Sequence, residues 1–261
     1  MPMRLIPLGT NGFIPTQGRQ TMSFLVLAER DAILLDAGSG VSRLLDESLA
    51  RLLRPYPILN IVLSHFHLDH TVGLTYLTIA AHGKPVHIYP PDRPLVQASG
   101  EAALNELIRP PYFPLTLQRY PLPVAITPIR GDFQVGSLSV RVRAQEHDGG
   151  SIGIRIGDQI AYTTDTIVDP QNVEFVRGVS LLLHELWLDD AEKPAQDATK
   201  SGHSYASGVV RLATEAGVER LMIVHHHPLR STAAIHKTAE VAQGATNVKI
   251  IVPEEGKVYD V

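Results

Sequence analysis

Ser64-His65-Phe66-His67-Leu68-Asp69-His70 places four potential metal ligands within six residues. In extended backbone, residues two apart point the same way, so His65 and His67 can hold one ion. Asp69 and His70 then face a second position as the chain turns into a helix. Histidine and carboxylate donors without thiolate suit zinc, with manganese or iron as alternatives. A single histidine at a strand end is usually an ordinary polar residue. Three of them interleaved with an aspartate are costly to bury without a partner, which favours the metal.

The elements around this stretch must position it. Asn60-Ile61-Val62-Leu63 reads as a buried strand, and Thr71 to His82 as a helix stopped by Gly83. The donors therefore leave the end of a core strand, where a rigid scaffold can fix a loop. Upstream, Arg4–Leu8, Met22–Leu27 and Ala32–Asp36 read as strands, and Val41–Leu53 as a helix with Leu44, Leu45, Leu49 and Leu52 on one face. Pro85–Tyr89 is a further strand. Gly136–Ala144, Ile152–Ile156 and Gln159–Thr163 read as a meander. Leu181–His184 and Leu221–Val224 are buried strands, separated by a helix with Val209, Leu212, Ala213 and Ala216 on one face. Val248–Val252 and Lys257–Val261 form a closing strand pair.

Strands and helices interleave throughout without a linker, so residues 1–261 are expected to form one α/β domain. Nine of the nineteen prolines fall between Pro90 and Pro128. That excursion is either plain surface, an active-site wall or a homodimer contact.

The chain is 44% hydrophobic with a net charge of −4, ordinary for a globular protein and unlike one built to grip a long nucleic acid. It has no cysteine, which excludes disulfides and thiolate sites. No apolar run approaches the ~20 residues needed to cross a bilayer. Met1-Pro2-Met3-Arg4-Leu5-Ile6 lacks a signal-peptide pattern, so a cytoplasmic location is the expectation.

Two ions held together need further ligands. His147, Asp165 and His225 each follow a predicted strand. Taken singly, His147 fits a loop residue and Asp165 a turn residue. Together with the first loop they resemble the metallo-β-lactamase superfamily: His-x-His-x-Asp-His, then an isolated His, an isolated Asp and a last His after a strand. Leu8-Gly9-Thr10-Asn11-Gly12, Pro15-Thr16 and Leu35-Asp36-Ala37-Gly38 resemble its RNase Z-like branch. The resemblance implies a four-layer αββα sandwich with two metals at one edge. It implies His65, His67 and His147 on the first metal, Asp69, His70 and His225 on the second, and Asp165 bridging them.

Ser201-Gly202-His203-Ser204 is similar to that branch's Gly-His-Ser motif, whose histidine contacts the phosphate and protonates the leaving group. His184-Glu185-Leu186-Trp187 stands where the branch carries His-Glu-Ala-Thr, whose glutamate orients that histidine. The alternative for His203 is a helix-start residue beside the capping Ser204. Leu186-Trp187 departs from the pattern and weakens the orienting role of Glu185. RNase Z also carries a long arm that grips transfer RNA between the isolated His and Asp. Seventeen residues separate His147 from Asp165 here, enough for a hairpin. The last motif reads His225-His226-His227-Pro228, with His226 and His227 pointing elsewhere or lining the pocket. His82, His87 and His236 have no motif around them and are expected at the surface.

The expected function is a two-metal hydrolase, a phosphodiesterase acting on a small or short substrate through a hydroxide shared by the ions. In it Asp69 orients the nucleophile, and His203 with Glu185 serves as general acid. The rivals are transfer-RNA 3′ processing, hydrolysis of a thioester, lactone or lactam, and a non-catalytic metal-binding ligand sensor. An oxygen-reducing di-iron role is disfavoured, because that branch carries a carboxylate where His67 stands.

Overall fold

The computed structural model describes residues 3–16, 18–192 and 202–261; Ser201 of the motif above lies outside them. Two seven-stranded sheets pack face to face. The first has the order β14-β1-β2-β3-β4-β5-β6, from Tyr259–Asp260, Arg4–Gly9, Ser23–Leu27, Ala32–Leu35, Leu59–Val62, Val86–Tyr89 and Val124–Ile126. The second runs β13-β12-β11-β10-β9-β8-β7, from Lys249–Ile251, Arg220–Val224, Leu181–Glu185, Ile160–Thr163, Ser151–Ile156, Leu138–Gln145 and Phe133–Val135.

The strands show why the layers stack. Successive side chains alternate faces, so a strand buried on both sides is apolar throughout yet feeds two cores. Leu181 and Leu183 enter the core between the sheets with Phe24, Ile33, Ile154 and Met222. Leu182, Leu221 and Ile223 face outward, onto Val209, Leu212 and Ala213 of the helix Ala206–Glu215. On the other side, Ile6, Leu25, Leu34 and Ile61 meet Val41, Leu44, Leu49, Leu53 and Leu77. The result is the expected four-layer αββα sandwich. Truncating a fully buried side chain such as Leu183 to alanine would cost about 2–5 kcal/mol.

Each sheet repeats one plan. Antiparallel strands β1-β2-β3 lead into parallel β4, β5 and β6, and antiparallel β8-β9-β10 lead into parallel β11, β12 and β13. Because the sheets carry their parallel strands in register, Leu35 beside Val62 and Thr163 beside His184, their carboxyl ends open at one edge. Open α/β sheets bind ligands at such an edge.

Three readings of the sequence need correction. The closing strands do not pair with each other: β13 lies on β12, whereas β14 crosses to the first sheet and pairs with β1. The helix read over Thr71–His82 begins earlier and is broken into α-helix Leu68–Thr71, 3-10 helix Val72–Tyr76 and α-helix Leu77–Ala80. Gly73 sits at the break with its backbone against Gly38 and Ala37, where a Cβ has no room. The helix read over Val41–Leu53 is likewise split, into 3-10 Ser39–Leu45 and α-helical Glu47–Leu53.

Candidate metal centre

Strand β4 ends at Val62, and the chain then presents Ser64 and His65, both fully buried. Asp69 and His70 sit in the first helical turn after His67. The buried Asp36, at the end of β3 with φ of 55°, organises this loop. Its carboxylate accepts from Ser64 N at 2.6 Å, Ser64 Oγ at 2.7 Å, Tyr162 OH at 2.6 Å and His70 Nδ1 at 2.7 Å. The Ser64 hydroxyl, having given its proton to Asp36, accepts from His65 Nδ1 at 3.0 Å. One carboxylate thus anchors the Nδ1 side of both histidines, His70 directly and His65 through Ser64, and turns each Nε2 toward the ligand cluster. Burial raises the Tyr162 hydroxyl well above its ordinary value, with Asp36 reinforcing it, so Tyr162 stays a donor.

The other strand ends supply the remaining donors. Asp165 follows β10 with φ of 46° and His225 follows β12 with φ of 54°. Such strained backbone concentrates where a site dictates side-chain aim. His147 lies just past β8, its Nδ1 3.3 Å from Gly202 O, so Nε2 faces inward.

Two ligand groups result. His65, His67, His147 and Asp165 form one, and Asp69, His70 and His225 the other, each with donor atoms within 4.8 Å of one another. Asp165 lies between them: Oδ1 is 3.4 Å from His147 Nε2, while Oδ2 is 3.0 Å from His70 Nε2 and 3.2 Å from His225 Nε2. Asp69 Oδ2 is 3.4 Å from both His70 Nε2 and His225 Nε2. All seven predicted ligands therefore come together.

The arrangement fits metal ions. His65 Nε2 is buried without a hydrogen-bond partner, which is costly for a group aimed at nothing. His67 Nδ1 and His147 Nε2 lie 3.2 Å apart, close to the ~3.3 Å edge of a tetrahedron with 2.0–2.1 Å bonds. Burial, with His70 beside it, pushes His65 well below the ordinary imidazole value and keeps it in the neutral form that ligates. Burial alone would raise the Asp69 carboxyl, but His70 and His225 hold it well below the usual carboxylate range.

His203 stands beside the centre, grouped with Asp165 and His225. Its Nδ1 is 2.9 Å from Oε2 of the fully buried Glu185, whose Oε1 accepts from Thr166 N. Burial disfavours its charge, yet Glu185, with Asp165 and Asp69 beyond it, outweighs that and raises it to about 9. The departure at Leu186-Trp187 leaves the Glu185 contact intact. Trp187 stacks on His203 at 4.6 Å, with its own carbonyl gripped by Arg230.

The neighbouring histidines separate. His226 is buried and turns away to line a cavity of about 270 Å³ with Arg19 and Glu255. His227 meets the edge of Trp187 at 4.6 Å. His82 and His87 bond Leu44 O and Thr127 Oγ1, remote from the centre, and His236 is exposed. A larger cavity of about 880 Å³ lies between the helix Ala206–Glu215 and the helix Thr232–Gln243, and none of the candidate ligands lines it.

Residues 31–226 match the beta-lactamase superfamily domain. The chain belongs to that superfamily. Within it the chain is similar to ribonuclease Z from Myxococcus xanthus, 26% identical over an alignment of 301 positions that covers 94% of this chain and 95% of that one. The fold is shared with the metallo-beta-lactamase fold protein YhfI from Bacillus subtilis, at a TM-score of 0.77 and 20% identity with both chains fully covered. It is shared as well with a diphosphatase from the PhnP family, at 0.69 and 16%, covering 99% of this chain and 98% of the other. The superfamily's hydrolases bind divalent metals, which the His/Asp cluster here can accommodate.

Asp36, Ser64, Tyr162 and Trp187 are the site residues that sequence reasoning did not single out. Asp36 carried a signal only as part of Leu35-Asp36-Ala37-Gly38.

Proposed function

We propose that this hydrolase is a phosphodiesterase that holds two divalent ions through His65, His67, Asp69, His70, His147, Asp165 and His225, with zinc the metal best suited to the donors. The observation that carries the reading is the His203–Glu185 pair beside the ligand cluster, 2.9 Å apart. A thiolate leaving a thioester needs no proton, whereas an alkoxide departing from a phosphodiester does.

Bound ions would supply an acidified water as nucleophile and positive charge for the phosphoryl oxygens. The protein's own groups do the rest. Asp69, fixed by the Phe13 N–H at 2.7 Å from Oδ2, orients the attacking water. Glu185 holds the Nδ1 proton of His203, which leaves the Nε2 proton for the leaving oxygen. Trp187 covers one face of that imidazole and limits access of water to it.

Transfer-RNA 3′ processing is the second reading, favoured by similarity to proteins named ribonuclease Z along nearly the whole chain. Against it, β9 and β10 form a plain hairpin between His147 and Asp165, and the net charge is −4. The test is metal analysis of the purified protein beside a panel of phosphodiesters, thioesters, lactones, β-lactams and a precursor transfer RNA. Faster turnover of bis(p-nitrophenyl) phosphate than of a matched monoester or any acyl substrate is expected. A clear preference for thioesters or lactams overturns the reading.

A further inference from the structure

Neither core packing nor the chemistry above accounts for the phenyl ring of Phe13. The backbone here is locked from two sides. Phe13 N donates to Asp69 Oδ2 at 2.7 Å, and a Cβ on the preceding Gly12 would run into the His225 imidazole. Phe13 itself takes φ of 64°, a left-handed conformation that a bulky residue adopts only under strain. Glycine would meet every backbone requirement, because the contact to Asp69 comes from the main chain. The ring gains little burial in exchange: Phe13 is 69% exposed. Leu68, directly before Asp69, is 65% exposed, and Ile14 is exposed too. Strained backbone and unpaired apolar surface coincide at the rim of the metal centre, where both are expected only if something binds.

We infer that Phe13 is a substrate-contact residue that stacks on a flat ring carried by the phosphate ester, with Leu68 as an apolar flank. The inference rests on the phosphodiesterase reading and narrows its substrates to ring-bearing esters. Stacking suits an exposed phenyl ring because every flat ring has a face to offer, and the attraction needs no matched hydrogen bonds. The locked backbone fixes the ring's position relative to Asp69, and through it to the reacting phosphate.

The test compares phenylphosphonate with methylphosphonate as calorimetric ligands of the metal-loaded protein, in the wild type, Phe13→Ala and Phe13→Tyr. In parallel, kcat/KM is measured for bis(p-nitrophenyl) phosphate and methyl p-nitrophenyl phosphate, which share a leaving group. The wild type should bind the phenyl ligand about 10-fold more tightly. Phe13→Ala should lose most of that ratio, the tyrosine variant should keep it, and the kinetic change should fall mainly in KM. Ratios are read within each variant, so a general loss of active protein cancels. No ring preference in the wild type, including failure to bind either ligand, overturns the inference. So does an undiminished ratio in Phe13→Ala, which would leave the exposed ring to a partner macromolecule. If neither diester is turned over, the phosphodiesterase reading fails while the phosphonate ratio still decides the ring contact.

Discussion

The indole of Trp187 lies flat against the imidazole of His203, ring centroids 4.6 Å apart and planes 16° from parallel. The same indole reaches His225 at 5.2 Å, so one aromatic residue braces both the candidate acid and a candidate ligand. Trp187→Ala should lower turnover of poor leaving groups by about tenfold, and Trp187→Phe by less. Steady-state kinetics across a leaving-group series checks this, and equal losses for good and poor leaving groups would argue against it.

His203→Ala should retain both ions and lose roughly 10²–10⁴-fold in rate. The loss should shrink for p-nitrophenolate, which needs little protonation. Metal analysis beside the kinetics separates roles: an ion lost with the imidazole would make His203 a ligand.

Glu185→Gln should shift the alkaline limb of the pH profile. An acid works while protonated, so activity on poor leaving groups falls as pH rises through the His203 value. Burial opposes that charge, and Glu185 is the foremost of the carboxylates that support it. With the carboxylate removed, the fall must begin at lower pH. A log kcat/KM plot against pH for both proteins reads the shift directly, and an unmoved limb would count against the pairing.

The structure explains which parts of this reading were open to sequence reasoning. The runs Leu181–His184 and Leu221–Val224 announce buried strands because both faces are apolar, and His65 to His70 is dense enough to announce itself. Strand β14 could not be placed, since two residues carry no pairing information and its partner β1 lies at the other end of the chain. The helix Thr232–Gln243 carries a weak sequence signal because its buried face, Ile235, Ala239 and Ala242, is small and sparse. Asp36 resembles any aspartate that ends a strand; only the folded chain shows four donors converging on it. Trp187 departs from the motif in sequence, and in the structure it stacks over His203.

Asp36→Asn should weaken metal affinity by about 10–100-fold without removing a ligand. The amide keeps the shape but presents a donor where His70 Nδ1 and Ser64 Oγ need an acceptor. A competition titration with a chromophoric chelator measures it, with an unchanged dissociation constant as the contrary result.

Asp165→Ala should cut metal content from two ions per chain to one or fewer, because its oxygens face both ligand groups. Chelation of the wild type should lower its thermal midpoint, since ligand at a thousandfold its dissociation constant stabilises by about 4 kcal/mol. Elemental analysis and scanning calorimetry decide both points. One ion or none in wild-type protein prepared with excess zinc or manganese would sink the two-metal proposal.

The donors hang from strand ends in both sheets, β4 in the first and β8, β10 and β12 in the second. A ribosome making this chain releases His65, His67, Asp69 and His70 early, as one short loop. His147, Asp165, Glu185 and His203 follow, and His225 completes the set only when nearly the whole of both sheets has emerged. Until then the nascent chain carries donors that can catch a stray ion but lacks the last candidate ligand of the second group, so the complete ligand set is assembled late.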